Sequence, residues 1–274
     1  MARLLTVALA LWLAACASPG KPVSYSEASR VQQLRQLLPA DVILLGEQHD
    51  ARDHQEVHRT VVVALAAQKA LAALTLEMAS QGRSTAQLAG DASEDAVREA
   101  LQWNNEGWPW AAYGPAVMAA VRAGVPVLGA NLPASQNRSA MSQAELDALL
   151  STAALKAQQQ SVRSGHCDML PDSQIAPMTR IQIARDRAMA QTITQALQPG
   201  KTVVLLAGGG HVDRHLGVPL HLNPALRLQA VAMLAEPITE AAGAGKSFDA
   251  LWPATPAPPV DYCAKFNNTR RPQN

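Results

Sequence analysis

Acid–base side chains stand at the ends of short apolar runs in this chain. Val42-Ile43-Leu44-Leu45-Gly46 leads into Glu47-Gln48-His49-Asp50, and Leu74-Thr75-Leu76 leads into Glu77. Val203-Val204-Leu205-Leu206-Ala207 and three glycines lead into His211, and Val125 to Ala130 lead into Asn131. A carboxylate two residues from an imidazole, as in Glu47 and His49, can orient the ring and raise its basicity. With Glu77 and His211 the set has the groups to activate water, bind a divalent metal or hold a polar ligand. Glu47, His49, Glu77 and His211 are therefore the candidate catalytic residues, in a hydrolase that is metal-dependent or metal-free. The ligand types suit a divalent metal, but the helical H-E-x-x-H spacing of zinc hydrolases is missing. The competing reading is a satisfied structural network.

These residues need a scaffold that brings distant segments together. A short apolar run closed by glycine reads as a buried parallel strand. Strands are expected at 42–46, 73–77, 125–130, 202–207, 226–234 and 248–252. Helices are expected at 26–38, 54–67, 113–123 and 143–161, with a long one over 174–197 beginning around Pro177. The alternation predicts an α/β fold, a mostly parallel sheet with helices on both faces. Residues just past the strands then face the crevice at the carboxyl edge, where open α/β sheets bind ligands. The helical stretches at about 84–123 and 142–197 exceed simple crossovers and are expected to form a small helical subdomain over that edge. Gly208-Gly209-Gly210 lacks the following G-K-[ST] of a phosphate loop and reads as a turn giving His211 backbone clearance.

Other residues admit two readings each. His54 and His58, four apart on one helix face, are a solvated face or ligand contacts at the pocket mouth. Trp103, Trp108, Trp110 and Tyr113 fall within eleven residues of an aromatic-poor chain. They are the wall for a flat ligand, or a helical core. The Tyr113 phenol can serve ferric iron as a tyrosinate. His166 sits in a loop at 164–172 and reaches a ligand or a neighbouring subunit, unless the loop is purely structural. Arg185 and Asp186 are expected to pair internally near the rim. His215 and His221 are expected to be structural or exposed.

The N-terminal segment reads as a processing signal. Arg3 and the apolar stretch Leu4–Leu13 precede Leu13-Ala14-Ala15-Cys16, the pattern of a bacterial lipobox. The expected organisation is a signal peptide over 1–15, lipidation at Cys16, a tether over 16–24, and one domain over 25–274. Ala17 stands where aspartate would favour inner-membrane retention, so an outer-membrane lipoprotein facing the periplasm is expected. Cys167 and Cys263 remain, an even pair in an oxidising compartment, and are expected to form a disulfide; free thiols, or Cys167 as a ligand, are the alternatives. Hydrophobic residues make up 48%, enough for a core, and the net charge of +1 argues against nucleic acid as a partner.

Several segments together resemble one family. They are Gly46-Glu47-Gln48-His49-Asp50, Trp108-Pro109-Trp110…Tyr113, Val127-Leu128-Gly129-Ala130-Asn131-Leu132-Pro133 and Gly165-His166-Cys167…Leu170-Pro171. Gln182 to Ala190 and Gly208-Gly209-Gly210-His211-Val212…Gly217-Val218-Pro219 complete the set. In order from about Asp41 to Pro219 the chain resembles the ChaN-like haem-binding uptake lipoproteins. The resemblance implies haem bound at a shared homodimer surface and a role in haem or iron acquisition. It also implies kinship with Tiki/TraB-type metalloproteases and erythromycin esterases, whose catalytic positions map onto Glu47, His49 and His211. Haem-binding members use a tyrosine ligand; Tyr113 is taken as that donor to the haem iron, with Tyr262 and Tyr25 as alternatives. Trp108 and Trp110 are expected along the macrocycle, and His166, His54 or His58 at its propionates.

Overall fold

The computed structural model describes residues 26–234, 247–254 and 261–264. The expected signal peptide, Cys16, the tether and Tyr25 lie outside the described residues.

Six strands form one all-parallel sheet in the order β3-β2-β4-β1-β5-β6. They are β1 (Val42–Glu47), β2 (Leu71–Ser80), β3 (Val127–Asn131), β4 (Thr202–Gly208), β5 (Leu228–Leu234) and β6 (Ala250–Pro253). β1 lies between β4 and β5, and every one of its residues is buried, which is why it reads as an unbroken apolar run up to Glu47. The chain leaves β1 toward β2 and β3, then returns through β4 and crosses to β5. The carboxyl ends of β1, β2 and β4 thus meet where the winding direction reverses, the place at which such sheets open a crevice.

One face is covered by α1 (Glu27–Leu37), α2 (Arg52–Ala67), α3 (Glu94–Leu101) and α4 (Trp110–Arg122). Leu34, Val61, Leu65, Leu101, Tyr113 and Val117 from these helices join Ile43, Leu45, Leu74 and Val204 of the sheet in the largest apolar cluster. The other face is covered by α7 (Asp172–Ala196), whose Met189, Ala190 and Ile193 meet Val42, Leu44, Val203 and Leu205. The outer half of α7 extends past the sheet. There α5 (Asn137–Ser142) and a short 3-10 segment (Ala144–Leu149) pack on it through Ala140, Leu146, Ile181 and Ile183. α6 (Thr152–Gly165), capped by the Ser151 hydroxyl on the Ala154 N–H, also packs on α7.

The 142–197 stretch thus supplies the cap over the carboxyl edge. The 84–123 stretch does not join it: α4 packs on α2 within the main core. α7 begins at Asp172 rather than near Pro177, which lies inside the helix. Among the described residues no helix is long and apolar enough to cross a membrane.

Candidate functional site

Glu47 is the last residue of β1, and its carboxylate is fully buried beneath His49, whose ring is 40% exposed. Glu47 Oε1 lies 2.6 Å from His49 Nδ1 and accepts a 2.5 Å hydrogen bond from the Tyr113 hydroxyl. β2 keeps register with β4 from Ala73 and with β3 from Leu74 as far as Leu76; beyond it the ladder with β3 shifts. Glu77 sits at that irregularity, which frees its side chain to turn toward the neighbouring strand end. Its Oε2 accepts from the Gly208 N–H at 2.7 Å and lies 3.9 Å from His49 Nε2. Its Oε1 lies 3.4 Å from His211 Nε2. His211 is carried by α8 (Gly209–Val212), the single turn after β4, and its Nδ1 meets Asp186 Oδ1 of α7 at 2.6 Å.

The result is a connected row: Tyr113, Glu47, His49, Glu77, His211, Asp186. Each imidazole lies between two carboxylates. Burial opposes the charge on His211, but Glu77 and Asp186 outweigh it and lift its pKa to about 10. Burial likewise opposes ionisation of Glu77, and the imidazoles with the Gly208 amide outweigh it, bringing its pKa to about 2. Asp186 is pushed up to about 6 by burial, against the pull of His211. At neutral pH the row therefore holds an imidazolium between two carboxylates. His49 is also raised, since Glu47 and Glu77 overcome its desolvation. Glu47 is lowered despite burial, by the imidazoles and the Tyr113 hydroxyl. Tyr113 is pushed far above its ordinary value by burial and by Glu47, and stays protonated.

Two glycines make the row possible. Gly46 has its backbone against α8: a Cβ there would lie 2.3 Å from Val212 Cγ2. At Gly208 a Cβ would lie 2.9 Å from His49 Nε2. The backbone of Gly208 is ordinary extended chain (φ −60°, ψ 149°). Its glycine is needed for space rather than for a special turn, and the clearance serves His49 and Glu77 rather than His211.

The row floors a cavity of about 540 Å³. Glu47, His49, Glu77 and His211 all line it, so the four rim residues converge as expected. α6 and α7 supply Gln158, Ser161, Val162, Gly165 and Gln182, and Gln48, Asp50, His166 and Tyr262 stand around it. Asn131, at the end of the edge strand β3, does not line it. The rim groups bond to one another rather than pointing at a common centre. Among the described residues no three His, Cys, Asp or Glu side chains are arranged to hold a metal ion, so the divalent-metal expectation finds no support.

Several expectations are corrected. His54 and His58 are neither a solvated face nor at the pocket mouth: both are 0% exposed and sit under the floor. The Gln48 N–H donates to His54 Nδ1 at 2.9 Å, and His58 Nε2 lies 3.5 Å from Glu47 Oε2. Burial drives the His54 pKa down to about 4, which leaves that ring neutral at pH 7, and lowers the His58 pKa as well. Tyr113 is only 1% exposed and its hydroxyl is committed to Glu47, which leaves it no face for a ligand. Trp110 is buried beside Trp103 and gives its indole N–H to Glu94 at 2.8 Å. Of the aromatic cluster, Trp108 meets His49 edge-on at 4.7 Å, and Tyr113 meets Glu47 from beneath. Asp186 pairs with His211, not with Arg185.

His166 does line the cavity, its Nδ1 2.8 Å from the Val162 carbonyl. Tyr262, the alternative tyrosine, lines it too and is 52% exposed. Its hydroxyl donates to Asp50 and lies 3.4 Å from Gln48 Nε2. The bridge between Cys167 and Cys263 is present, with an S–S distance of 2.02 Å. His215 is exposed and His221 half-buried, neither at the cavity.

Asp186 was missed as a site residue, although the sequence holds its signal. Ile183, Asp186, Ala190 and Ile193 share the buried stripe of α7, so a carboxylate falls where the helix meets the core. A buried carboxylate needs a partner. That the partner is His211, twenty-five residues on, is decided only by the packing of α7 on α8 and β4.

Comparison with known proteins agrees with this architecture. The family model described as haem-binding uptake, Tiki superfamily, ChaN matches residues 33–222. Among solved structures, ChaN of Campylobacter jejuni, described for cofacial haem binding, superposes with a TM-score of 0.66 at 24% identity. The match covers 80% of this chain and 89% of that one. An erythromycin esterase, the EreC H289N mutant in its open conformation, gives a TM-score of 0.45 at 14% identity, over 78% of this chain and 74% of that one. The type III effector HopBA1 gives 0.44 at 17% identity, over 77% and 85%. A search of curated proteins finds no match.

Proposed function

Since this chain belongs to the ChaN family of haem-binding uptake proteins in the Tiki superfamily, we propose that it takes haem at the mouth of the carboxyl-edge cavity. The observation that carries this placement is Tyr262, a half-exposed phenol on the cavity wall. A phenolate is a hard oxygen donor suited to ferric iron. The Asp50 carboxylate accepts the phenol's hydrogen bond and raises its pKa, so ferric iron has to displace that proton on binding. Tyr262 therefore replaces Tyr113 as the donor. The two buried carboxylates on the cavity floor would meet an apolar macrocycle unfavourably, so in this reading haem sits at the mouth, on the side of His166 and Tyr262.

In this reading haem is cargo in haem or iron uptake. Two copies sharing haem would cover its open face and couple binding to dimerisation. The chain is held to the periplasmic face of the outer membrane by lipid on Cys16. Titration with haemin, followed by absorbance and by sedimentation, tests the binding. The expected result is a saturable Soret change with dimer formation, and Tyr262→Phe removes the tyrosinate signature. No saturable change at micromolar protein defeats the proposal. For the anchor, Cys16→Ser should release the protein from membranes or leave it unprocessed; unchanged fractionation defeats it.

A second reading rests on the row itself, because holding haem does not require imidazoles interleaved with carboxylates. His49 presents its ring to the cavity with Nδ1 directed to Glu47, so its Nε2 can accept a proton from water. This is a metal-free hydrolase reading. A screen of activated esters, with His49→Ala as the control, tests it: activity that survives His49→Ala removes the row from the chemistry.

A further inference from the structure

We infer that the Cys167–Cys263 disulfide is a positioning device for the ligand site, carrying Tyr262 onto the cavity that His166 lines. The inference rests on the reading of the cavity mouth as the haem site. The bridge joins residues 96 apart in sequence. Each half-cystine directly follows a cavity-lining residue: His166 precedes Cys167, and Tyr262 precedes Cys263.

Burial does not hold Tyr262 in place. Asp261, Tyr262 and Ala264 are exposed and Cys263 is half-buried. None of the four belongs to the three apolar clusters formed by the described residues. Apart from the bridge, the hydrogen bonds that join this segment to the body among the described residues are those of the Tyr262 hydroxyl with Asp50 and Gln48. Exposed polar contacts of this kind hold a chain weakly. The bond is therefore what restricts Tyr262 to the wall.

The other anchor is chosen at a conformational cost. Cys167 and Asp168 have φ of +57° and +55°, the left-handed region that favours glycine or asparagine. The turn ends α6 and places His166 on the cavity and Cys167 toward the tail. A glycine would suit the backbone of position 167 better, so the thiol explains the residue. Fixing a donor before the ligand arrives removes an ordering cost from binding.

The test is a double-mutant cycle on the full chain, with haemin as the probe. Wild type, Tyr262→Phe, Cys167→Ser/Cys263→Ser and the triple variant are titrated, with circular dichroism confirming the fold. The bridge-free variant is expected to bind roughly tenfold more weakly or worse and to lose the tyrosinate absorption. Adding Tyr262→Phe to it should change affinity by no more than about twofold, because both changes remove the same contact. Additive losses, or a tyrosinate band retained without the bridge, overturn the inference. Hydrogen exchange of the peptide containing residues 261–264 gives a reading without haemin. Faster exchange is expected when the bridge is absent, or when the folded wild type is reduced by a phosphine, should the serine variant not fold. Equal exchange overturns the inference. If the wild type binds no haemin but loss of its bridge speeds the exchange, the haem reading is refuted and the positioning role stands.

Discussion

Glu77→Gln keeps the shape of the side chain and removes one charge from the middle of the row. Glu77 Oε1 lies 3.4 Å from His211 Nε2. At the effective dielectric that fits protein charge pairs, unit charges at this distance attract by about 5 kcal/mol. One pKa unit corresponds to about 1.4 kcal/mol, so losing that attraction should bring His211 from about 10 to roughly 6 or 7. Asp186, still 2.6 Å away, keeps it from falling further. The consequence for stability has a sign. A histidine whose pKa is raised on folding contributes stability that is full below about 6.5 and is lost as pH rises through about 10. The gap between wild type and Glu77→Gln is therefore widest near pH 6, about 3–5 kcal/mol, and closes toward pH 10. Urea denaturation at intervals from pH 6 to 10 measures the gap, and imidazole NMR follows His211 directly. A gap independent of pH would mean that the glutamine disturbs packing only. His211 titrating near 10 in the variant would refute the assignment of Glu77 as its main charge partner.

Tyr113→Phe should leave haemin spectra unchanged and cost about 1–3 kcal/mol, because it strips a donor from the buried Glu47 carboxylate; loss of the Soret change would restore Tyr113 as the iron donor. Gly208→Ala places a methyl 2.9 Å from His49 Nε2 and should displace that ring, seen as a shift of its NMR signals, at a stability cost of about 1–3 kcal/mol; unchanged His49 signals would contradict the packing. His54 is held neutral with a pKa near 4, so its contribution is present above about 6.5 and lost as pH falls toward 4. The loss amounts to about 3 kcal/mol, and His54→Gln should flatten that part of the acid denaturation curve; a slope unchanged in His54→Gln would place the acid sensitivity elsewhere.

Much of the architecture follows from the sequence because parallel strands buried on both faces must be continuously apolar. Val42 to Gly46 and Val203 to Ala207 have no other stable use, and the first polar residue after each falls at the carboxyl edge. That is why Glu47, His49, Glu77 and His211 could be assigned to one pocket from spacing alone. Side-chain direction is different, since it depends on what packs against the residue. His54 and His58 look exposed by composition, with charged neighbours on the same helix, and yet α2 turns them beneath the sheet end. Tyr113 and Tyr262 are both phenols near a cavity by argument from type. Only the tertiary structure separates them, because α4 drives Tyr113 into the core against Glu47 while the Cys167 bridge carries Tyr262 to the surface of the pocket. Local sequence fixes periodicity and therefore the sheet, whereas partners such as Asp186 and His211 meet through contacts between elements distant in the chain, which no local pattern encodes.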